Sequence, residues 1–254
     1  MTPATISVQL KRIFAISMLF AFACLQASAQ DAVPTEILRR TIFIKAGITE
    51  GTAFLIDHDR KIFLVTARHV VAGLPTTRAT IQVRKSGQWV DYQTVKTLFP
   101  PSTNADIAVL ETNEEVPKQP WLIGIDDTTG SVTMGQQVWF LGYPYGIGSH
   151  FSNGDFPFIK RGTMSAIDAS NPDAVIIYVD GFNNPGFSGG PVVYWSFSDR
   201  KYKIVGVVQG YKNETAKTFL NGVQVDTNIL VNSGILIAYS IKHVTQAIEQ
   251  PSRP

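Results

Sequence analysis

Few side chains in this chain are equipped for nucleophilic chemistry, and they lie far apart. The imidazoles are His58, His69, His150 and His243, and the single thiol is Cys24. A serine hydroxyl is a poor nucleophile at neutral pH and needs a base to take its proton and a third group to orient that base. Ser188, in "NNPGFSGGPVVYW", has glycines on both sides, which permit a tight turn that most residues resist. His69 closes the apolar run "KIFLVTA" and precedes "VVAG", so an imidazole stands where a packed strand gives way to a loop. Reacting groups are held best on such rigid elements. Asp106, in "NADIAVLE", directly precedes an apolar run, from which a buried carboxylate can accept the proton-bearing nitrogen of an imidazole. The other histidines suit the task less. His58 in "DHDR" reads as a solvated turn residue with no second ligand group for a metal. His150 lies in the glycine-rich, exposed "GIGSHFSNGD", and His243 lies near the start of a C-terminal helix.

Two orders of these groups are open. Gly186 to Gly190 match G-x-S-x-G, the nucleophile elbow of α/β-hydrolases, in which Ser188 would be followed by an acid such as Asp226 and then by His243. That turn requires a helix immediately after the serine. "GGPVVYW" supplies glycines, a proline and a β-rich run instead, so a helix starts badly there. The order His69, Asp106, Ser188 is the other arrangement, and each member then sits in a fitting local sequence.

The elements that must hold these residues are short strands. "TIFIKAG", "GTAFLID", "KIFLVTA", "ATIQVRK", "QWVDYQT" and "DIAVLET" occupy the first half, and "GQQVWFLGYP", "IKRGTMSAID", "AVIIYVDG", "GPVVYW", "YKIVGVVQG" and "GILIAYS" the second. Turn residues separate them and no stretch between them keeps a helical period, so the chain is all-β. One helix is expected at about 240–250, with Ser240 as N-cap, Ile241, Val244 and Ile248 on one stripe and Pro251 as the stop. The turn sequence Asp59-Arg60-Lys61 recurs as Asp199-Arg200-Lys201, which suggests two similar halves joined around Pro117 to Gly135.

Composition adds a location. Of 254 residues, 44% are hydrophobic and 17% charged, enough for a sizeable core. Lys11 and Arg12, the apolar run Ile13 to Leu25 and the small residues Ala27 to Ala29 make residues 1–29 a secretory signal, with the mature chain starting near Gln30. The run is shorter than the roughly 20 apolar residues that span a bilayer, so no stable membrane insertion is expected after cleavage. Without Lys11 and Arg12 the basic and acidic residues balance, which removes the case for nucleic acid or an anionic membrane. Cys24 leaves with the signal, so the exported chain is stable without disulfides, which suits a bacterial periplasm.

"LVTARHVV", "DIAVLE" and "GFSGGPVV" resemble the three signature segments of trypsin-like serine peptidases, most closely the bacterial branch related to the exported Deg/HtrA-type proteases, and "LGYPYG" and "KRGTMSAI" look like that branch's second-barrel segments. The likeness runs from about Thr41 to Ile248. It implies two six-stranded antiparallel Greek-key β-barrels of the chymotrypsin type, at about 38–118 and 130–240, with a short C-terminal helix. It implies a serine endopeptidase that hydrolyses peptide bonds of peptides or proteins through an acyl-enzyme, without cofactor or metal. His69, Asp106 and Ser188 would form the triad, and the backbone N–H groups of Gly186 and Ser188 the oxyanion hole. The primary pocket would draw on Phe182, Gln209, Gly210 and Tyr211. By the resemblance, no acidic residue appears at the matching position near Phe182, so an uncharged, small to medium apolar side chain is expected there. Only Pro251 to Pro254 follow the helix, so no PDZ domain is expected, and no residue pattern speaks to oligomeric state. Two positions depart from the family. Arg68 stands in "ARH" and can point to solvent. Phe187 stands where the family has Asp or Asn, an acid that in digestive members pairs with a newly cut N-terminus, which Phe cannot do. Phe187 also opens the alternative of an inactive peptidase-like domain that binds peptides or an envelope partner.

Overall fold

The computed structural model describes residues 32–113, 124–125, 132–152 and 154–250. The expected signal segment, with Lys11, Arg12 and Cys24, and most of the stretch from Pro117 to Gly135 lie outside the described residues.

Apolar alternation builds the first sheet. Its strands are β1 (Thr41–Ala46), β2 (Thr49–His58), β3 (Lys61–Thr66), β4 (Thr80–Lys85), β5 (Gln88–Gln93), β6 (Lys96–Leu98) and β7 (Ala108–Glu111), in the order β5-β4-β1-β2-β3-β7-β6. The sheet closes on itself. Thr97 N–H donates to the Thr76 carbonyl, Arg78 N–H to that of Val95, and Thr94 N–H to that of Ala79, so the residues before β4 carry on its pairing into β6. β5 and β6 are thus one bent strand, and the ring has the six members expected. Ile44, Leu64, Ile81 and Leu110 point inward, where water is excluded. Fully burying one such side chain contributes about 1.5–3 kcal/mol.

The second sheet comprises β8 (Gly124–Ile125), β9 (Gln137–Gly142), β12 (Phe158–Asp168), β13 (Ile176–Asp180), β14 (Pro191–Ser196), β15 (Lys201–Leu220) and β16 (Val223–Ser240). Between β9 and β12 a separate hairpin is formed by β10 (Ser149–Phe151) and β11 (Gly154–Phe156). β14 pairs with both β9 and β15, so β9-β12-β13-β16-β15-β14 is a closed ring, with β8 added in parallel on β15. Numbered within each ring, both barrels run 1-2-3-6-5-4 around the circumference. This shared order is the repeat. The Asp-Arg-Lys echo does not mark it, because Asp59 and Arg60 turn between strands 2 and 3 of one ring and Asp199 and Arg200 between strands 4 and 5 of the other.

Three elements differ from the sequence expectation. A helix, α1 (Thr35–Arg40), precedes β1, and Glu36 and Arg40 pair across one turn at 2.7 Å. At only six residues it is too short to display a helical period. The C-terminal helix, α2 (Lys242–Glu249), is capped by Ile241 rather than Ser240, which is the last residue of β16. The third is a two-stranded ribbon, in which the distal parts of β15 and β16 extend beyond the barrel to a turn at Asn221-Gly222, both at positive φ. Asn-Gly is a strong hairpin signal. The ribbon carries no core face to impose a pattern: its side chains are mostly exposed, and Phe219, Leu220, Val223, Ile229 and Leu230 stand among polar residues without alternation.

Candidate active site

β3 ends at Thr66 and the chain turns into a 3₁₀ helix, Arg68–Val71, whose Val70 and Val71 sink into the core. That burial leaves His69 on the outer side, 46% exposed at its side chain. Asp106 lies between Ala105 and Ile107, both fully buried, so its backbone is pinned just ahead of β7. Its carboxylate meets His69 twice: Oδ1 accepts the His69 amide at 2.9 Å, and Oδ2 lies 2.5 Å from Nδ1. Arg68 N–H donates to the Asp106 carbonyl at 3.3 Å. Burial pushes the Asp106 carboxyl up, but the hydrogen bond and charge of His69, its amide, and the nearby Arg68 outweigh it and hold the group below its usual value. An ionised carboxylate only accepts, so Nδ1 carries a proton, and in the neutral imidazole the lone pair is then on Nε2. Arg68 does not point freely to solvent. Its guanidinium lies 4.6 Å from the centre of the Phe99 ring, which keeps its charge beside Asp106.

Ser188 arrives on the loop before β14. Gly189 explains how close the loop comes to β3. At φ +85° it adopts a left-handed conformation, and a Cβ there would stand 2.1 Å from the Thr52 carbonyl oxygen, 2.2 Å from Thr66 Oγ1 and 2.8 Å from the Ala67 amide. Only glycine fits at this contact. Gly189→Ala is therefore expected to destabilise the fold by about 3 kcal/mol or more, since overpacking and backbone strain act together. A midpoint of urea unfolding within error of wild type would contradict this.

Thr52, which sequence reasoning passed over, ties the loop down. Fully buried on β2, it donates its N–H to the Ser188 carbonyl at 2.8 Å and its hydroxyl to the Gly186 carbonyl at 2.7 Å. The same hydroxyl accepts the Tyr143 amide at 3.1 Å, and the Thr52 carbonyl accepts Thr66 Oγ1 at 2.7 Å. Buried polar groups must find partners, so this residue joins the Ser188 loop, β3 and the end of β9 in one network.

The amides of Gly186 and Ser188 have a defined direction. The Pro185 carbonyl accepts Tyr145 N–H at 3.0 Å and the Phe187 carbonyl accepts Gly190 N–H at 2.8 Å. In a planar trans peptide the N–H points opposite to the carbonyl, so both amides face away from these partners. Neither donates to an acceptor among the described residues. The Ser188 hydroxyl itself donates to the Gln209 carbonyl at 3.1 Å, and no hydrogen bond joins it to His69.

Phe187 is fully buried in the second barrel and meets Phe140 edge to face at a centroid distance of 5.2 Å. Of the expected pocket residues, Phe182 is 56% exposed and the Gly210 carbonyl accepts Asn183 Nδ2 at 2.9 Å, which brings the two segments together. Gln209 faces Ser188 through its carbonyl, and Tyr211 pairs with Leu236 on β16. Asn183, unnoticed in the sequence, also accepts Asn232 Nδ2 on its carbonyl at 2.6 Å.

The alternative acid and base are not brought together. Asp226 is exposed on the β15–β16 ribbon, whereas His243 is fully buried. His243 Nε2 accepts the Val175 amide at 2.9 Å and Nδ1 faces Gln246 at 2.8 Å, so neither nitrogen is free to act as a base. Burial also pushes its pKa down. His150 is exposed, as expected, and pairs with Asp155 at 2.7 Å.

The trypsin-like peptidase domain family matches residues 51–207, which contain His69, Asp106 and Ser188, and the chain belongs to that family. It is 26% identical over 170 residues to the chloroplastic Protease Do-like 1 of Arabidopsis thaliana, a match covering 66% of this chain and 34% of that protein. The chain thus spans about a third of that relative's length. Among solved structures, the serine endoprotease from Yersinia pestis superposes with a TM-score of 0.53 at 19% identity, covering 86% of this chain and 67% of that one. The Rv3671c protease from M. tuberculosis in its active form gives 0.51 at 18%, covering 84% and 81%. At such identities these structures share the fold.

Proposed function

We propose that this chain is an exported serine endopeptidase acting through His69, Asp106 and Ser188. The observation that carries the reading is the double grip of Asp106 on His69, which sets the tautomer that leaves Nε2 a base. In this reading Ser188 exchanges the Gln209 carbonyl for His69 Nε2 and attacks the scissile carbonyl, and His69 takes the hydroxyl proton. The Gly186 and Ser188 amides, without other acceptors, donate to the tetrahedral oxyanion; one such donor contributes about 3 kcal/mol. His69 returns the proton to the leaving amine, and water then cleaves the acyl-enzyme by the same steps. Phe182, Gln209, Gly210 and Tyr211 would border the primary pocket. The Lys160 ammonium, 2.7 Å from the Phe182 carbonyl, disfavours a cationic substrate side chain there and supports an uncharged one. Residues 1–29 would direct export, bacterial and periplasmic.

A second reading is an inactive peptidase-like domain, favoured by the Ser188 hydroxyl resting on Gln209. A fluorophosphonate probe separates the two. Peptidase action predicts covalent labelling of wild type that is lost in Ser188→Ala and in His69→Ala. An unlabelled wild-type protein would leave the binding reading.

A further inference from the structure

Lys160 lies on β12 opposite Phe140 of β9, and its ammonium is drawn beneath the loop that leads to Ser188. Nζ donates to the Phe182 carbonyl at 2.7 Å and to Asn184 Oδ1 at 2.5 Å. It also lies 5.5 Å from the centre of the Phe182 ring and 5.6 Å from that of Phe187, within reach for cation–π attraction. Asn184 passes the constraint on: its carbonyl accepts Phe187 N–H at 3.3 Å, and its Nδ2 lies 3.5 Å from the Tyr145 hydroxyl. No carboxylate pairs with this ammonium among the described residues. Its partners are backbone, amide and rings of a single loop, which is unusual for a surface-strand lysine.

We propose that Lys160 is a positioning residue for the hydrolysis proposed above, on which this inference rests: its charge holds Phe182–Ser188 in the shape that presents the Gly186 and Ser188 amides. The cation is part of the chain, so the loop needs no processing event to acquire it. Phe187 fits this arrangement, because a ring face accepts the ammonium that a carboxylate would otherwise pair with.

A pH dependence follows. Burial lowers the Lys160 pKa from 10.5. β9 carries no titratable side chain; the groups on the other elements around Lys160 are Tyr145, which meets Asn184, Tyr178 and Asp180 on β13, and Arg161 beside it. The ammonium is lost as pH rises through its lowered value, so the loop loosens and activity falls on the alkaline side.

The test compares Lys160→Met, Lys160→Arg and Asn184→Ala by peptide hydrolysis across pH and by amide hydrogen exchange. Lys160→Met should lower kcat/KM roughly 10- to 100-fold, mostly in kcat, as expected for losing hydrogen bonds to a charged donor. Its exchange over Phe182–Ser188 should be faster. Lys160→Arg should restore both and move the alkaline fall to higher pH, because a guanidinium stays charged. Asn184→Ala, which keeps the lysine, should show part of the same change and serves if Lys160→Met does not fold. Unchanged exchange in Lys160→Met, or an alkaline fall identical in Lys160→Arg, overturns the inference. Failure of the peptidase reading appears separately, as wild-type protein without hydrolysis, and the exchange measurement still decides the role of Lys160.

Discussion

Ser188→Ala is expected to lower kcat/KM for peptide hydrolysis by a factor of about 10⁴ to 10⁶ while the fold stays intact. The hydroxyl makes one hydrogen bond, to the carbonyl of half-buried Gln209 on β15, so its removal costs the fold a single bond. Thr52 still holds the Ser188 carbonyl, since that bond is to the backbone. His69→Ala should cost a similar factor, and the double variant should be no worse than either alone, because members of one proton-transfer unit are not additive. The measurement is turnover of a fluorogenic peptide library, with thermal unfolding as the control for structure. Turnover retained in Ser188→Ala would remove this serine from the mechanism, and equal, independent losses that multiply would argue against a shared unit.

Asp106→Asn is expected to lower kcat by about 10⁴ while the protein still folds, with a lower unfolding midpoint at neutral pH because the carboxylate's contribution to stability is gone. Asn can still accept the His69 amide through its oxygen, so the fold near Ala105 and Ile107 has no cause to yield. The effect lies at Nδ1. The asparagine NH₂ facing it favours the imidazole tautomer that carries its proton on Nε2, and that nitrogen can then take none from Ser188. The carboxylate of the parent protein also sets a pH limit. Its folded pKa is depressed, so its contribution to stability is complete above the unfolded carboxylate value and is lost as pH falls through the lower, folded one. Asp106→Asn should therefore flatten the most acidic part of a stability-versus-pH curve. A variant with wild-type kcat, or with an unchanged acid limb, would contradict the placement of charge at this pair.

The candidate site was legible where its signals were local. His69 and Asp106 stand at the ends of apolar strands, Ser188 between glycines, and each signal is a few residues long. Alternation likewise revealed most barrel strands. The residues that were missed act at long range. Thr52 bonds the Gly186 carbonyl 134 positions away, Asn183 reaches Gly210 across 27, and Lys160 reaches Asn184 across 24. A threonine or lysine in a strand carries no local mark of such a partner. Phe187 is the converse case: its type raised the prospect of a collapsed loop, and only the surrounding barrel shows it buried against Phe140.

By itself, then, the sequence determined the all-β class, the order His69, Asp106, Ser188 and the need for glycine beside the serine, because strand period, chain order and backbone freedom are written in neighbouring residues. Only the tertiary structure decided that Asp106 grips His69 twice, that the Ser188 hydroxyl rests on Gln209, and that a lysine charge lies beneath the loop that carries Ser188. These depend on how two closed barrels pack distant segments to within hydrogen-bond distance, and no short stretch of chain encodes that distance.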